Sequence, residues 1–191
     1  RTLKQRIALR GRPMERDMKR FRSGPPSALM SATKRRDSSM FFPLALATAL
    51  FKAFSVTGER ASLRVARESL EFLEGVCFED RRLTLVGNVG WHSRGGEKPP
   101  ADEQAIDAAA FVLAFRSAYL ATGDHQYLRR MRESFAWFLG VNRLGLPLYD
   151  PMTAGCRDGL GATQVNQNQG AESTICFLLS LLAMLELAGE G

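Results

Sequence analysis

Histidine and cysteine are scarce in this chain, with two of the first and three of the second among 191 residues. Two imidazoles, His92 and His125, exclude a histidine-rich metal centre. Cys77, Cys156 and Cys176 lie far apart and form no CxxC pair, which indicates neither a metal knuckle nor a disulfide framework. A reducing, cytoplasmic setting is therefore expected, with no metal and no cofactor. Cys156 beside Arg157 has no histidine near it in sequence, so it reads as a small buried loop residue rather than a nucleophile. GxxxxGK[ST] is missing, as is a GxGxxG that opens a helix after a strand, and nucleotide binding by either route is excluded. Long apolar runs are lacking too. Phe41 to Phe51 and Ile175 to Leu185 are the longest, too short for a bilayer span, and no signal-peptide pattern accompanies them.

Positive charge is concentrated rather than general. Residues 1 to 36 hold 12 of the 26 Lys and Arg against two of the 20 acids, leaving 14 basic and 18 acidic residues, so the remainder is net −4. Residues 1–38 read as a basic arm or the remnant of a preceding helix. Without interleaved aromatics the arm is a poor match for nucleic acid, and a solvated helix is the simpler reading.

What the chain does have is a repeat. Val56 to Val76 aligns with Ala121 to Val141 at an offset of 65, with nine of 21 positions identical, among them Gly58 with Gly123 and Glu68 with Glu133. The same offset carries Gln104 onto Gln169 and Asp107 onto Glu172. Apolar, all-round segments at about 40–56, 105–120 and 170–188 read as buried inner helices. Amphipathic segments at about 59–75 and 125–139 read as outer helices, with Phe72 and its counterpart Trp137 taken as core. Residues 39–191 are thus an all-α domain of repeated αα-hairpins. Long polar, Gly-rich connections, Cys77 to Glu103 and Val141 to Asn168, favour a partial or complete toroid over a solenoid with short turns. Apolar inner helices at the open edges of a fragment predict self-association.

Those connections carry the distinctive residues: Gly87-Asn88, Gly90-Trp91 and Arg94-Gly95-Gly96-Glu97 in the first, Leu144 to Pro151, Gly155-Cys156, Asp158-Gly159-Leu160, Asn166 and Asn168 to Thr174 in the second. From Pro43 to Leu187 the chain resembles the C-terminal part of a bacterial six-hairpin domain associated with glycosyltransferases and similar in architecture to (α/α)6 glycosidases. Ala154 stands where that resemblance implies glycine, and Glu103 where it implies glutamine. A carbohydrate ligand and a glycosyltransferase domain or partner follow as expectations.

In a helical toroid the inner-helix starts gather at one end, which would bring Asp107 and Glu172 to a common funnel with Asp102, Glu103, Gln104 and Gln169. Sugar hydroxyls are matched by carboxylates, amides and guanidinium groups, and an aromatic ring covers the apolar face of a pyranose. Asn88, Arg94, Arg157, Asn166 and Asn168 are candidates for the first role, Trp91 and Tyr149 for the second. Hydrolysis would need two carboxyl groups, about 5 to 5.5 Å apart for retention or about 6.5 to 9.5 Å for inversion. Glu172 with Asp107 is the candidate catalytic pair and Asp158 the third choice. Capping competes with these roles, because an acid in a first helical turn also satisfies free backbone N–H groups. A helical scaffold for a protein partner is the alternative function.

Overall fold

The computed structural model describes residues 40–88 and 96–188; the basic arm, together with Trp91, His92 and Arg94, lies outside the described residues. Among the described residues, five helices carry the fold. Helix α1, Phe41–Thr57, tolerates Pro43 because a first-turn residue needs no backbone N–H for the helix. It turns at Gly58 into α2, Arg60–Cys77. Helix α3, Ala105–Thr122, turns at Gly123 into α4, His125–Ala136, which tightens into a 3-10 turn at Trp137–Leu139. Helix α5 spans Ala171–Ala188.

The sequence repeat is reproduced in the atoms of the two hairpin turns. Thr57 Oγ1 donates to the Ala53 carbonyl at 2.8 Å and accepts from the Glu59 N–H at 3.2 Å. Thr122 Oγ1 does the same with Ala118 at 2.7 Å and Asp124 at 3.2 Å. Gly58 and Gly123, both at φ 71°, close the preceding helices by donating to Phe54 and Tyr119. A side chain at either position would be forced into the left-handed region, which is why glycine recurs there.

Helix α3 is the centre and packs on α1, α4 and α5. Ala108, Phe111, Val112, Ala114, Phe115 and Ala118 are fully buried, and the alanines let neighbouring backbones approach closely. By length and hydropathy α3 qualifies as a membrane span, yet 61% of it is enclosed by protein, which is the signature of a core helix. Two contacts fix the directions of the inner helices. The Phe41 N–H donates to Asp107 Oδ1 at 2.9 Å, joining the first turns of α1 and α3, and Arg116 pairs with Glu186 at 2.5 Å, joining the later halves of α3 and α5. The three inner helices therefore run parallel, with their N-termini at one end.

Outer helix α2 buries Ala66, Leu70, Leu73 and Cys77, spaced along one stripe. Arg130 of α4 clamps it: Nε reaches Glu74 at 2.6 Å, Nη1 reaches Glu133 at 2.8 Å and the Asp80 carbonyl at 2.9 Å, and the guanidinium lies 4.6 Å from the Phe78 ring centre. Phe72 corrects the sequence reading: it is 49% exposed, whereas Trp137 is fully buried. The two part because α2 stays α-helical through Phe72 on its solvent side, while at Trp137 the chain tightens and the indole turns inward to a buried carboxylate.

The long connections are not structureless. They hold strands β1 (Phe78–Glu79) and β2 (Arg82–Leu83), then β3 (Glu103–Gln104), and after α4 the strands β4 (Tyr149–Asp150), β5 (Gly155–Cys156) and β6 (Gly159–Leu160). β1 pairs with β2 and β4 with β5 as local antiparallel hairpins. β3 pairs antiparallel with β6, Glu103 opposite Leu160 and Gln104 opposite Gly159, which ties the entrance of α3 to the loop that precedes α5. A Cβ at Gly159 would lie 2.3 Å from the Glu103 carbonyl oxygen, so only glycine permits this approach.

Candidate functional site

The inner-helix N-termini and the two loops above them form one polar end, organised around Glu103. This carboxylate is 1% exposed. Its Oε2 accepts from the Leu85 N–H at 3.2 Å and from Trp137 Nε1 at 3.0 Å, and its Oε1 accepts from Arg143 Nε at 3.0 Å. Arg143 continues the chain of contacts by donating to the carbonyls of Gly161 at 2.6 Å and Ala162 at 2.9 Å. Glu103 was expected on the funnel rim and is instead a buried knot joining three loops. A carboxylate supplies enough acceptor positions for three converging donors, which an exposed rim residue would not require.

The loop before α5 is a second network. Asp158 Oδ1 accepts from the Gly170 N–H at 2.8 Å and Ser173 Oγ at 2.7 Å, and Oδ2 accepts from Asn168 Nδ2 at 2.5 Å. The hydrogen bonds from Ser173 and Asn168 hold the Asp158 carboxyl below the usual carboxylate range, against a smaller opposing effect of burial. Asp158 is thereby ionised and spent on fixing the start of α5. Asn166 Oδ1 accepts from the Asn168 N–H at 3.0 Å, so much of the amide-rich run shapes its own loop.

Beside it, Asp150 Oδ2 accepts from Arg157 Nη2 at 3.1 Å and from Gln169 Nε2 at 3.3 Å, and Gln169 Oε1 accepts from Thr153 at 2.7 Å. Arg157 Nε also reaches Gln167 at 3.2 Å. The Tyr149 ring stacks on Phe177 of α5, with centres 4.4 Å apart and planes at 16°, which covers one ring face. Tyr149, Arg157, Asp158, Asn166, Asn168 and Gln169 are thus brought together over the start of α5. Ala154, at the turn between β4 and β5, has φ 57°.

On the other side, Gln104 occupies the extended residue before α3 without a side-chain cap bond. Asp102 is exposed at φ 61°, and its carbonyl accepts from the N–H of exposed Asn88 at 3.3 Å. Asp107 is fully buried in the first turn of α3 and holds the α1 N-terminus through Phe41. Glu172 is exposed in the first turn of α5 and makes no hydrogen bond or ion pair among the described residues. Both carboxylates bear on the Cys176 thiol, which burial first, then Glu172 and Asp107, push up to about 11. Burial likewise pushes the thiols of Cys77 and Cys156 up to about 12, so both are protonated and unreactive as nucleophiles near neutrality.

Sequence reasoning missed Arg143, Asp150, Thr153 and Ser173. Arg143 and Asp150 lie in connections read mainly for glycine and amides, and their partners are 40 and seven residues away. Ser173 carried a usable signal, a hydroxyl in the first turn of an inner helix.

No protein-family model matches the chain, and no curated protein matches it. Solved structures do. A family 76 glycoside hydrolase described as a mannosidase, from Bacteroides thetaiotaomicron VPI-5482, superposes with a TM-score of 0.58 at 15% identity over 76% of this chain and 38% of its own. An α-mannanase of family 76 from Bacteroides thetaiotaomicron gives 0.60 at 18% identity over 83% and 41%. A family 76 glycoside hydrolase from a bovine Bacteroides thetaiotaomicron strain gives 0.53 at 15% over 76% and 33%. The chain thus spans about two fifths or less of the length of these proteins. At such identities the likeness is one of fold, and the parallel hairpins described above are part of an (α/α)6 toroid of the glycosidase type.

Proposed function

We propose that this chain is a carbohydrate-active module of the glycoside hydrolase-like kind, which engages a glycan at the inner-helix N-termini. The observation that carries the reading is Glu172: an exposed carboxylate, free of internal partners among the described residues, held at the start of an inner helix beside the Asp150–Arg157–Gln169 wall. Such an acid is suited to accept hydrogen bonds from sugar hydroxyls. Two of the similar structures are a mannosidase and an α-mannanase, which makes mannan the first ligand class to try. Asp107 and Asp158 are bound to helix N-termini, so binding through Glu172, rather than hydrolysis by a pair within this chain, is the better supported form of the proposal. The resemblance of the Leu144 to Thr174 run adds a glycosyltransferase domain or partner to the reading, and three free, buried thiols suit a reducing, cytoplasmic setting.

A thermal-shift screen against mannose oligosaccharides and unrelated glucans, with Glu172→Gln alongside, tests this. Ligand at 100 times its dissociation constant stabilises by about 2.7 kcal/mol, which corresponds to roughly 5 to 10 °C for a chain of this size. A mannan-selective shift that is lost in Glu172→Gln supports the proposal; a well-folded sample indifferent to every sugar overturns it. A non-catalytic scaffold for a protein partner is the second reading, favoured by the exposed apolar residues of α5, and it expects that indifference.

A further inference from the structure

Outer helix α2 carries its charge in two blocks. Arg60, Arg64 and Arg67 occupy the half that follows the α1–α2 turn, and Glu68, Glu71 and Glu74 the half beyond. The three arginines are exposed and make no hydrogen bond or ion pair among the described residues. With Phe54 of α1 and Leu63, both half-buried, they line a groove of about 550 Å³. Arg67 and Glu71 also line a second groove, of about 600 Å³, whose far wall is Asp124, Tyr127 and Arg130 of α4. The two grooves therefore meet along one flank of α2, the flank on which Arg130 of α4 holds Glu74. Charge reverses from one to the other. Arg130 is taken up by Glu74 and Glu133, at 2.6 and 2.8 Å, so beyond Arg67 the second groove is faced by the carboxylates of Glu71, Asp80 and Asp124.

We propose that the arginine end of this groove is a docking site for a short acidic segment of a partner protein, held in extended form. Guanidinium groups bind carboxylates through paired N–H donors, and arginine clusters are a recurring means of recognising acidic motifs. The spacing suits an extended segment. Arg60, Arg64 and Arg67 are about 6 Å and then about 4.5 Å apart along the helix axis, and side chains on one side of an extended chain recur about every 6.6 Å. Phe54 and Leu63 supply an apolar floor for the residues between the acids. The remainder of the body does not attract such a ligand, since the residues after 36 hold 18 acids against 14 basic side chains, so the preference is local to the groove. Reversal of charge beyond Arg67 limits the acidic run, because Glu71, Asp80 and Asp124 repel its continuation. A long uniform polyanion, such as a nucleic acid strand or an anionic membrane surface, meets that repulsion in full, and a short peptide does not. The arginines start directly after the α1–α2 turn, at the opposite end of α1 from the inner-helix N-termini, so the proposal stands independently of the sugar reading.

Isothermal titration calorimetry of the full chain at low salt tests this, with an acetylated peptide of alternating alanine and glutamate as the probe and its lysine counterpart as the control. The glutamate peptide is expected to bind saturably and more tightly than the lysine peptide, and to weaken as salt is added. Arg64→Ala with Arg67→Ala should weaken it about tenfold, equivalent to about 1.4 kcal/mol over two surface ion pairs. Arg129→Ala with Arg132→Ala, at the repeat counterparts on α4 that line neither groove, should leave it unchanged. All four side chains are exposed, and helical circular dichroism should stay native in both variants. No saturable binding, equal loss in both variants, or binding retained in the α2 variant, which places it on the basic arm, overturns the proposal. Tighter binding of single-stranded DNA or of phosphatidylglycerol vesicles than of the peptide, lost in the α2 variant, overturns the assignment to a peptide. Charge reversal gives a test that does not depend on loss of binding: Arg64→Glu with Arg67→Glu should take up the lysine peptide in place of the glutamate one, and an unchanged order of preference contradicts the proposed site.

Discussion

Replacing Glu103 by glutamine tests whether the polar end is held by one buried carboxylate. In the native chain Oε2 serves Leu85 and Trp137 while Oε1 serves Arg143, each at 3.0 to 3.2 Å. Glutamine offers a single oxygen. Turned toward Leu85 and Trp137, that oxygen leaves its NH2 facing the Arg143 Nε–H, donor against donor. Hydrogen bonds to a charged group are worth about 1.5 to 3 kcal/mol and neutral ones about 0.5 to 1.5. Losing the charge on two bonds and the whole of the third amounts to about 3 kcal/mol, or a fall in Tm of about 6 to 12 °C for a domain of this size. Thermal unfolding followed by circular dichroism measures it. A double-mutant cycle with Arg143→Met should then show a coupling of about 2 kcal/mol, since residues in direct hydrogen-bond contact are not additive. A Tm within about 2 °C of the native chain, or strict additivity with Arg143→Met, would refute the reasoning.

Two further outcomes follow from the loop before α5. Ala154→Gly should raise stability by about 0.5 to 1 kcal/mol, because relief of the left-handed φ of 57° exceeds the added entropy of the unfolded chain; an unchanged or lowered urea midpoint contradicts this. The hydrogen bonds from Ser173 and Asn168 hold the Asp158 carboxyl below its ordinary value of 3.8, so its contribution is fully present above that value and is lost as pH falls below it. The stability difference between the native chain and Asp158→Asn should therefore be constant near neutrality and shrink below pH 3.8, as followed by urea unfolding; a gap that persists unchanged through the acid range counts against the capping role.

Helix order was legible because its cause is local. Apolar residues all round α1, α3 and α5 announce burial, and a Thr-Gly pair at 57–58 and again at 122–123 builds the same turn each time. Glu103 was not legible in the same way. Its partners are 18, 34 and 40 residues away, and nothing about a glutamate beside a helix start distinguishes a rim residue from a buried knot. The short strands escaped for a similar reason: two-residue pairs leave no alternation to read, and β3 finds β6 across more than fifty residues. Phe72 shows the limit of the repeat itself, because identical spacing does not guarantee identical burial once one copy tightens into a 3-10 turn.

The pairing of β3 with β6 also governs how the polar end can be altered, by evolution or by design. Glu103 sits on one connection and Gly159 on the other, where an added Cβ would lie 2.3 Å from the Glu103 carbonyl oxygen, well inside contact distance. A new loop grafted before α3 must therefore arrive with its counterpart before α5. In chimeras the two connections are expected to behave as a single heritable cassette, exchangeable together between hairpin domains and incompatible when mixed.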